Sequence, residues 1–186
     1  MAREIPNMLE KLESFFDRFS DLMGWIAGFL NLLMLVNVFY DSIMRYFFNT
    51  GSIALQEMEW HLFSIVFLFG MAYTLKEDGH VRVDILYDGF PPRWKAIVNI
   101  AGTLFFLIPL SGLIIEGSYW YVNEAYISNE ISGDPGGLGM RWLIKAVIPA
   151  SFVFLIVSAC GFVLHNINIF RGVEAPPVHH IKDDVL

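Results

Sequence analysis

Four apolar runs dominate this chain, at residues 22–40, 58–75, 96–115 and 142–164. A helix needs about 20 residues to cross the hydrocarbon of a bilayer, and each run is close to that length. In hydrocarbon the backbone must satisfy its own hydrogen bonds, which leaves an isolated apolar run one solution, the α-helix. The expected fold is therefore an all-α integral membrane protein with four transmembrane helices. Only 17% of the 186 residues are charged, against about a quarter in a soluble domain. The stretches between the runs are too short to hold a soluble core of their own. The spans are expected at about 22–44, 57–76, 93–118 and 141–168. They make one membrane domain over 1–171, followed by a polar tail, 172–186, expected to be disordered.

Placement of basic residues sets the expected topology. Arg3, Lys11, Arg18, Lys76, Arg82, Arg93, Lys95, Arg171 and Lys182 fall on one side of the membrane, and Arg45, Arg141 and Lys145 on the other. The positive-inside rule then puts both termini in the cytoplasm. Arg141 and Lys145 dissent, with Glu130 and Asp134 near enough to offset them. The net charge of −7 argues against nucleic acid, which needs a basic footprint. The single cysteine, Cys160, rules out an internal disulfide or a CxxC pair. The first run is long and lacks a small-residue cleavage pattern, so a cleaved signal peptide is not expected.

Ahead of the first span, Ile5, Met8, Leu9, Leu12, Phe15, Phe16 and Phe19 recur at helical spacing, with Glu10, Lys11, Glu13, Asp17 and Arg18 opposite. Asn7 and Glu10 resemble a capping box. This stretch reads as an N-terminal amphipathic helix in the inner interface. The first span carries Gly24-x-x-x-Gly28, a spacing that allows close helix approach. Asn31 falls near its middle, where an amide facing lipid is unfavourable. Asn37, Asp41 and Arg45 stand four apart and form a polar seam, in which Asp41 and Arg45 can pair. Thr50-Gly51-Ser52 marks a turn. Glu57 and Glu59 open the second span, where negative charge suits a helix N-terminus, and Trp60 is an interfacial anchor.

Residues 76–80 end the second span in a polar turn. Residues 81–87 are too few to cross and read as a short interfacial segment between helices 2 and 3. Pro109 removes an internal hydrogen bond and is expected to kink the third span. The glycines of 133–139 resemble a phosphate loop but lack its G-K-[ST] ending, so a structured turn is expected. No catalytic constellation or metal set is present. His61 lacks a partner at ligand spacing, and the His179-His180 pair in the tail is weak evidence for metal binding. No internal repeat with interrupted helices points to a midplane transport site. Polar residues concentrate at helix ends, a pattern that suits a helper subunit.

Several segments together resemble the small membrane subunit, the DctQ-type permease, of tripartite ATP-independent periplasmic (TRAP) transporters. They are RYFFN at 45–49, QEMEW at 56–60, FLFGMA at 67–72 and GHVRVD at 79–84, with DPGGLGMRWLIK at 134–145 similar to one subgroup. The departures are minor: Glu57 and Glu59 replace an adjacent glutamate pair, and no tryptophan precedes them. The resemblance implies a non-enzymatic subunit without cofactor in a bacterial inner membrane. Its partners would be a large membrane subunit and a periplasmic substrate-binding protein. A sodium gradient would drive uptake of an organic acid through the large subunit, with this chain on its scaffold.

In that picture Asn37, Asp41, Arg45, Glu57 and Trp60 are expected to meet the large subunit on the outer side. His80 and Asp84 would do so on the inner side, together with membrane lipids. Glu124, Glu130 and Asp134 are expected to touch the binding protein. Two other readings stay open at this point: a haem-bearing or structural anchor of a redox complex, and a stand-alone small carrier. The anchor needs paired axial histidines. His61 and His165 are too far apart along the spans to share a haem, whereas His80 with His165 is possible.

Overall fold

The computed structural model describes residues 8–77, 79, 87 and 89–172, with side chains from residue 11 onward. Four long helices make it up: α1 (Met8–Phe47), α2 (Ile53–Lys76), α3 (Pro92–Ile127) and α4 (Trp142–Arg171). All four are long and apolar enough to cross a membrane. Asn7 of the capping pair, His80, Asp84, all of the 81–87 segment except Tyr87, and the tail beyond Gly172 lie outside the described residues. One end of the bundle holds the start of α1 and the finish of α4, and is called the terminal end here. The other carries the connections at 48–52 and 128–141 and is called the loop end.

The amphipathic stretch is helical and runs without a break into the first span. At 1.5 Å per residue α1 is about 60 Å long, twice a hydrocarbon core of about 30 Å. Its polar side is not simply solvated. Glu13, on the charged side by periodicity, is buried against the finish of α4. One carboxylate oxygen accepts from Asn168 Nδ2 at 2.6 Å and the other meets His165 Nδ1 at 2.8 Å. Phe15, on the apolar side, is left exposed.

Helix α4 is the centre of the bundle. It packs against α1, α2 and both halves of α3, whereas α3 makes no comparable contact with α1 or α2 among the described residues. A third of its most apolar window (33%) is buried inside the bundle, against 11–17% for the other helices. The reason lies in its side chains. Ser151, Ser158, Ala159 and Gly161 are small and buried, and small residues let membrane helices approach closely where no hydrophobic drive separates them from lipid. Ser158 Oγ lies 2.7 Å from Ser20 Oγ of α1. Gly161 sits under Phe16, where an added Cβ would come within 2.7 Å of the Phe16 Cβ. Toward the terminal end Asn99 donates to Asn166 Oδ1 at 2.8 Å, joining α3 to α4. Leu75, Leu155, Ala159 and Phe162 form the apolar centre, with Met71, Leu107, Ile108 and Phe152 around them.

Helices α1 and α2 pair along their length. Asn37 Nδ2 donates to the Leu55 carbonyl at 2.9 Å near the loop end, and Lys76 pairs with Asp21 near the terminal end. Between them, the Tyr73 ring covers Gly24. In the third span the irregularity is a π-helical turn at Thr103–Leu107, just ahead of Pro109, in which the Ile108 N–H reaches back five residues to Thr103. Proline has no N–H to give and its ring clashes with the carbonyl four residues earlier. One widened turn accommodates both problems. Helix α3 ends on Asn129 in the left-handed region (φ 47°), with Glu130 N–H on the Ala125 carbonyl and Asn129 N–H on that of Tyr126. That is a Schellman ending with asparagine in the place glycine usually takes. Gly172 (φ 76°) ends α4 in the same left-handed conformation.

The Gly161 contact makes a direct prediction. Replacing Gly161 with Leu forces apart α4 and Phe16, and overpacking of this kind costs about 1–3 kcal/mol. Denaturant-titrated unfolding in detergent is expected to show that loss for Gly161→Leu. Gly112→Ala, at a site with nothing within 4 Å of an added Cβ, is expected to unfold like the parent.

Candidate functional site

The most elaborate polar structure in the described chain lies at the loop end, around Glu57. This residue stands in the second turn of α2 and is buried. One carboxylate oxygen accepts from the Ser132 hydroxyl and the other from the Leu138 backbone N–H, so α2 grips the 128–141 loop from beneath. The loop is folded on itself as well. Ser132 N–H bonds the Leu138 carbonyl at 3.0 Å, Gly137 N–H that of Asp134 at 3.0 Å, and Arg141 N–H that of Glu130 at 3.1 Å. Two glycines are required by this geometry. Gly136 has φ 86°, a conformation that side chains disfavour. A Cβ on Gly137 would run into Ser132 and into Glu57 Oε2.

The two cations that dissent from the topology rule are answered here. Lys145 pairs with Glu130, and Arg141 Nε lies 3.9 Å from the same carboxylate. Each also faces an aromatic ring: the Lys145 ammonium is 4.0 Å from the Tyr121 centroid and the Arg141 guanidinium 5.6 Å from that of Trp60. Cations over aromatic faces are attracted by the ring quadrupole. Because α3 packs on α4 and not on α2, a cleft of about 420 Å³ opens between them. Phe63, Phe67, Leu68 and Ile148 give it an apolar wall, and Arg141 and Lys145 a basic one.

The candidates named from sequence fall into three groups. Asn37, Asp41 and Glu57 point inward. Asn37 holds the Leu55 carbonyl, Glu57 holds the loop, and Asp41 is only 2% exposed, with one oxygen paired to Arg45 and the other buried without a partner. Arg45, half exposed, and Trp60, 39% exposed and stacked on His61, reach the surface of the loop end. His80 and Asp84 lie outside the described residues. Of the acidic trio, Glu124 and Asp134 are exposed, while Glu130 is tied to Lys145. His61 and His165 stand at opposite ends of the bundle, and His165 is engaged by Glu13. Among the described residues no cluster of three or more His, Cys, Asp or Glu is placed to hold a metal ion.

Sequence reasoning missed the partners of Glu57 and the Glu13–His165–Asn168 group. A carboxylate in the first turns of a span gave the only signal for Glu57. Nothing in the spacing tied Glu57 to Ser132, 75 residues away. The sites are nonetheless placed within a recognisable whole, since residues 34–168 match the family of tripartite ATP-independent periplasmic transporters, DctQ component. The chain belongs to the DctQ family. A protein of Haemophilus influenzae named as a TRAP transporter small permease is 35% identical over 144 residues, covering 75% of this chain and 84% of its own length. A second small permease of that organism is 27% identical over 148 residues, with 79% and 86% covered. The C4-dicarboxylate TRAP transporter small permease protein DctQ of Vibrio cholerae is 33% identical over 103 residues, which is 54% of this chain and 42% of that protein.

As a DctQ-family component this chain is a transporter subunit and not an enzyme. With four spanning helices it is a multi-pass protein of the inner membrane. The Glu57 grip on the loop lies wholly within the matched region. Removing its carboxylate strands the Leu138 N–H and the Ser132 hydroxyl, and an unsatisfied buried donor costs about 1–3 kcal/mol. Hydrogen–deuterium exchange across 128–141 is expected to speed up by about tenfold or more in Glu57→Ala, since 1.4 kcal/mol corresponds to a factor of ten. The exchange of α4 should stay unchanged. Equal protection of the loop in both proteins would show that Glu57 does not hold it.

Proposed function

We propose that this chain is the small permease subunit of a sodium-coupled TRAP transporter for organic acids. It packs on the scaffold of a large membrane subunit and stabilises it while that subunit moves substrate delivered by a periplasmic binding protein. The Vibrio cholerae and Pseudomonas aeruginosa relatives named for C4-dicarboxylates make such acids the first substrates to test.

The observation that carries this reading is where the buried polar side chains are used. Ser20 with Ser158, Asn99 with Asn166, and Glu13 with Asn168 tie helix to helix, and Glu57 ties helix to loop. A carrier keeps such groups free at mid-depth, around broken helices that bind solute and ion. Here they lock the bundle, which suits a brace. In this reading Arg45 and Trp60 contact the large subunit from the loop end, which faces the periplasm. Asn37, Asp41 and Glu57 hold the surfaces that present them. His80 and Asp84 serve the cytoplasmic side, with lipid headgroups, where both termini lie. Glu124 and Asp134 meet the binding protein, and Glu130 sets the loop through Lys145.

Proteoliposomes test the assignment. With large subunit, small subunit and binding protein together, a sodium gradient is expected to drive C4-dicarboxylate accumulation. Leaving out this chain should lower the initial rate at least tenfold, and this chain alone should give no uptake. Uptake by the isolated chain, or full uptake without it, would refute the proposal. In the complete system, Arg45→Ala combined with Trp60→Ala is expected to reduce recovery of the large subunit on affinity purification.

A further inference from the structure

Asn31 is a polar residue of α1 that the described bundle leaves unanswered on its outer surface. Asp21 and Asp41 stand ten residues to either side of it and carry the ion pairs with Lys76 and Arg45. Ten helical residues rise about 15 Å, half of a hydrocarbon core of about 30 Å. If the two ion pairs mark the edges of the apolar slab, Asn31 is at its centre. It is exposed and makes no hydrogen bond with another described residue. Four other asparagines of the spans, Asn37, Asn99, Asn166 and Asn168, donate to a partner within the chain. A carboxamide at mid-depth has no water to bond, and polar side chains there face protein.

The surroundings of Asn31 fit another helix. Gly28 lies one turn earlier on the same side, and a Cβ there would meet nothing within 4 Å. Of the Gly24-x-x-x-Gly28 pair, only Gly24 is covered among the described residues, by Tyr73. Leu35, one turn later, is 64% exposed. An open glycine beside an unbonded amide is a place where a second backbone can come close and be hydrogen-bonded across the gap.

We infer that the Gly28–Asn31–Leu35 face of α1 docks a transmembrane helix of the large membrane subunit. That helix presents a hydroxyl or carboxamide side chain at mid-depth, with a small residue beside it. The inference rests on the proposed function and adds to it the face by which the two subunits meet. Charge argues against a second copy of this chain. Copies in one membrane share one topology, so a symmetric contact through Asn31 would be parallel. Arg45, fourteen residues on, projects from the same side of α1 and is half exposed. Each guanidinium has one acceptor in its own Asp41 and its exposed half would meet its like, whereas a different subunit can offer that half an acceptor.

Photo-crosslinking in the intact transporter tests this, with benzoylphenylalanine at position 31 or 35 and, as control, at Phe29 on the opposite side of α1. Positions 31 and 35 are expected to give adducts with the large subunit, and position 29 none. Asn31→Leu is expected to lower recovery of the large subunit several-fold while this chain stays monodisperse, because the amide is exposed and bonds no other described residue. Co-purification of the subunits without an adduct from 31 and 35 overturns the inference and leaves the proposed function standing. An adduct between two copies of this chain overturns it as well, as does Asn31→Leu that purifies the large subunit like the parent. Subunits that never co-purify remove the proposed function and this inference together.

Discussion

Inside hydrocarbon a polar side chain must find its hydrogen bond in protein, because no water is available to replace it. That constraint organises this molecule. Apolar surface offers the helices little reason to associate, since lipid tails are as apolar as leucine. What joins them is close packing of small residues and a sparse set of hydrogen bonds. Ser20 with Ser158, Asn99 with Asn166 and Glu13 with Asn168 all have α4 as one party. Helix α4 therefore carries the small and polar residues, and large apolar side chains such as Trp25, Phe29, Phe105 and Phe106 face outward.

The same rule accounts for the loop end. Fourteen residues of irregular backbone at 128–141 carry more donors and acceptors than they can pair among themselves. Glu57 supplies the missing acceptors from the start of α2, and Glu130 collects the two cations that open α4. The loop is thus fixed to two helices at once. The surface it presents is set by the bundle and does not depend on the loop's own turns alone.

The fold was largely legible because hydrophobic run length is a strong signal in membrane chains. Four spans, the turn before α2 and the disturbance at Pro109 follow from length, glycine and proline chemistry. The form of that disturbance, a π turn placed ahead of the proline, does not. The site was legible only as a list of polar residues. Asp41 with Arg45 was readable because four residues separate them on one helix. Glu57 with Ser132 was not, since the pairing of distant segments depends on how helices cross. The same gap explains why Asn37 and Glu57, expected at a partner surface, turned out to hold the chain's own backbone. Glu13 shows the limit of periodicity: a charged face turned out to lie against the polar finish of α4.

The hub arrangement has a mechanical consequence. Helices α1 and α2 are paired along their length and fixed at both ends, by Asn37 and by Asp21 with Lys76. Among the described helices α3 packs chiefly on α4 and splays from α2 at the loop end, which leaves the basic cleft between them. The stiffest element of the outer surface is therefore the α1–α2 pair, backed by α4. A brace works best when the load meets its stiffest part. The unbonded amide of Asn31 lies on that pair, between the Asp21–Lys76 ion pair and the Asn37 bond to Leu55 that tie α1 to α2. Set between those two ties, the open amide is on the side of the bundle best able to bear a partner.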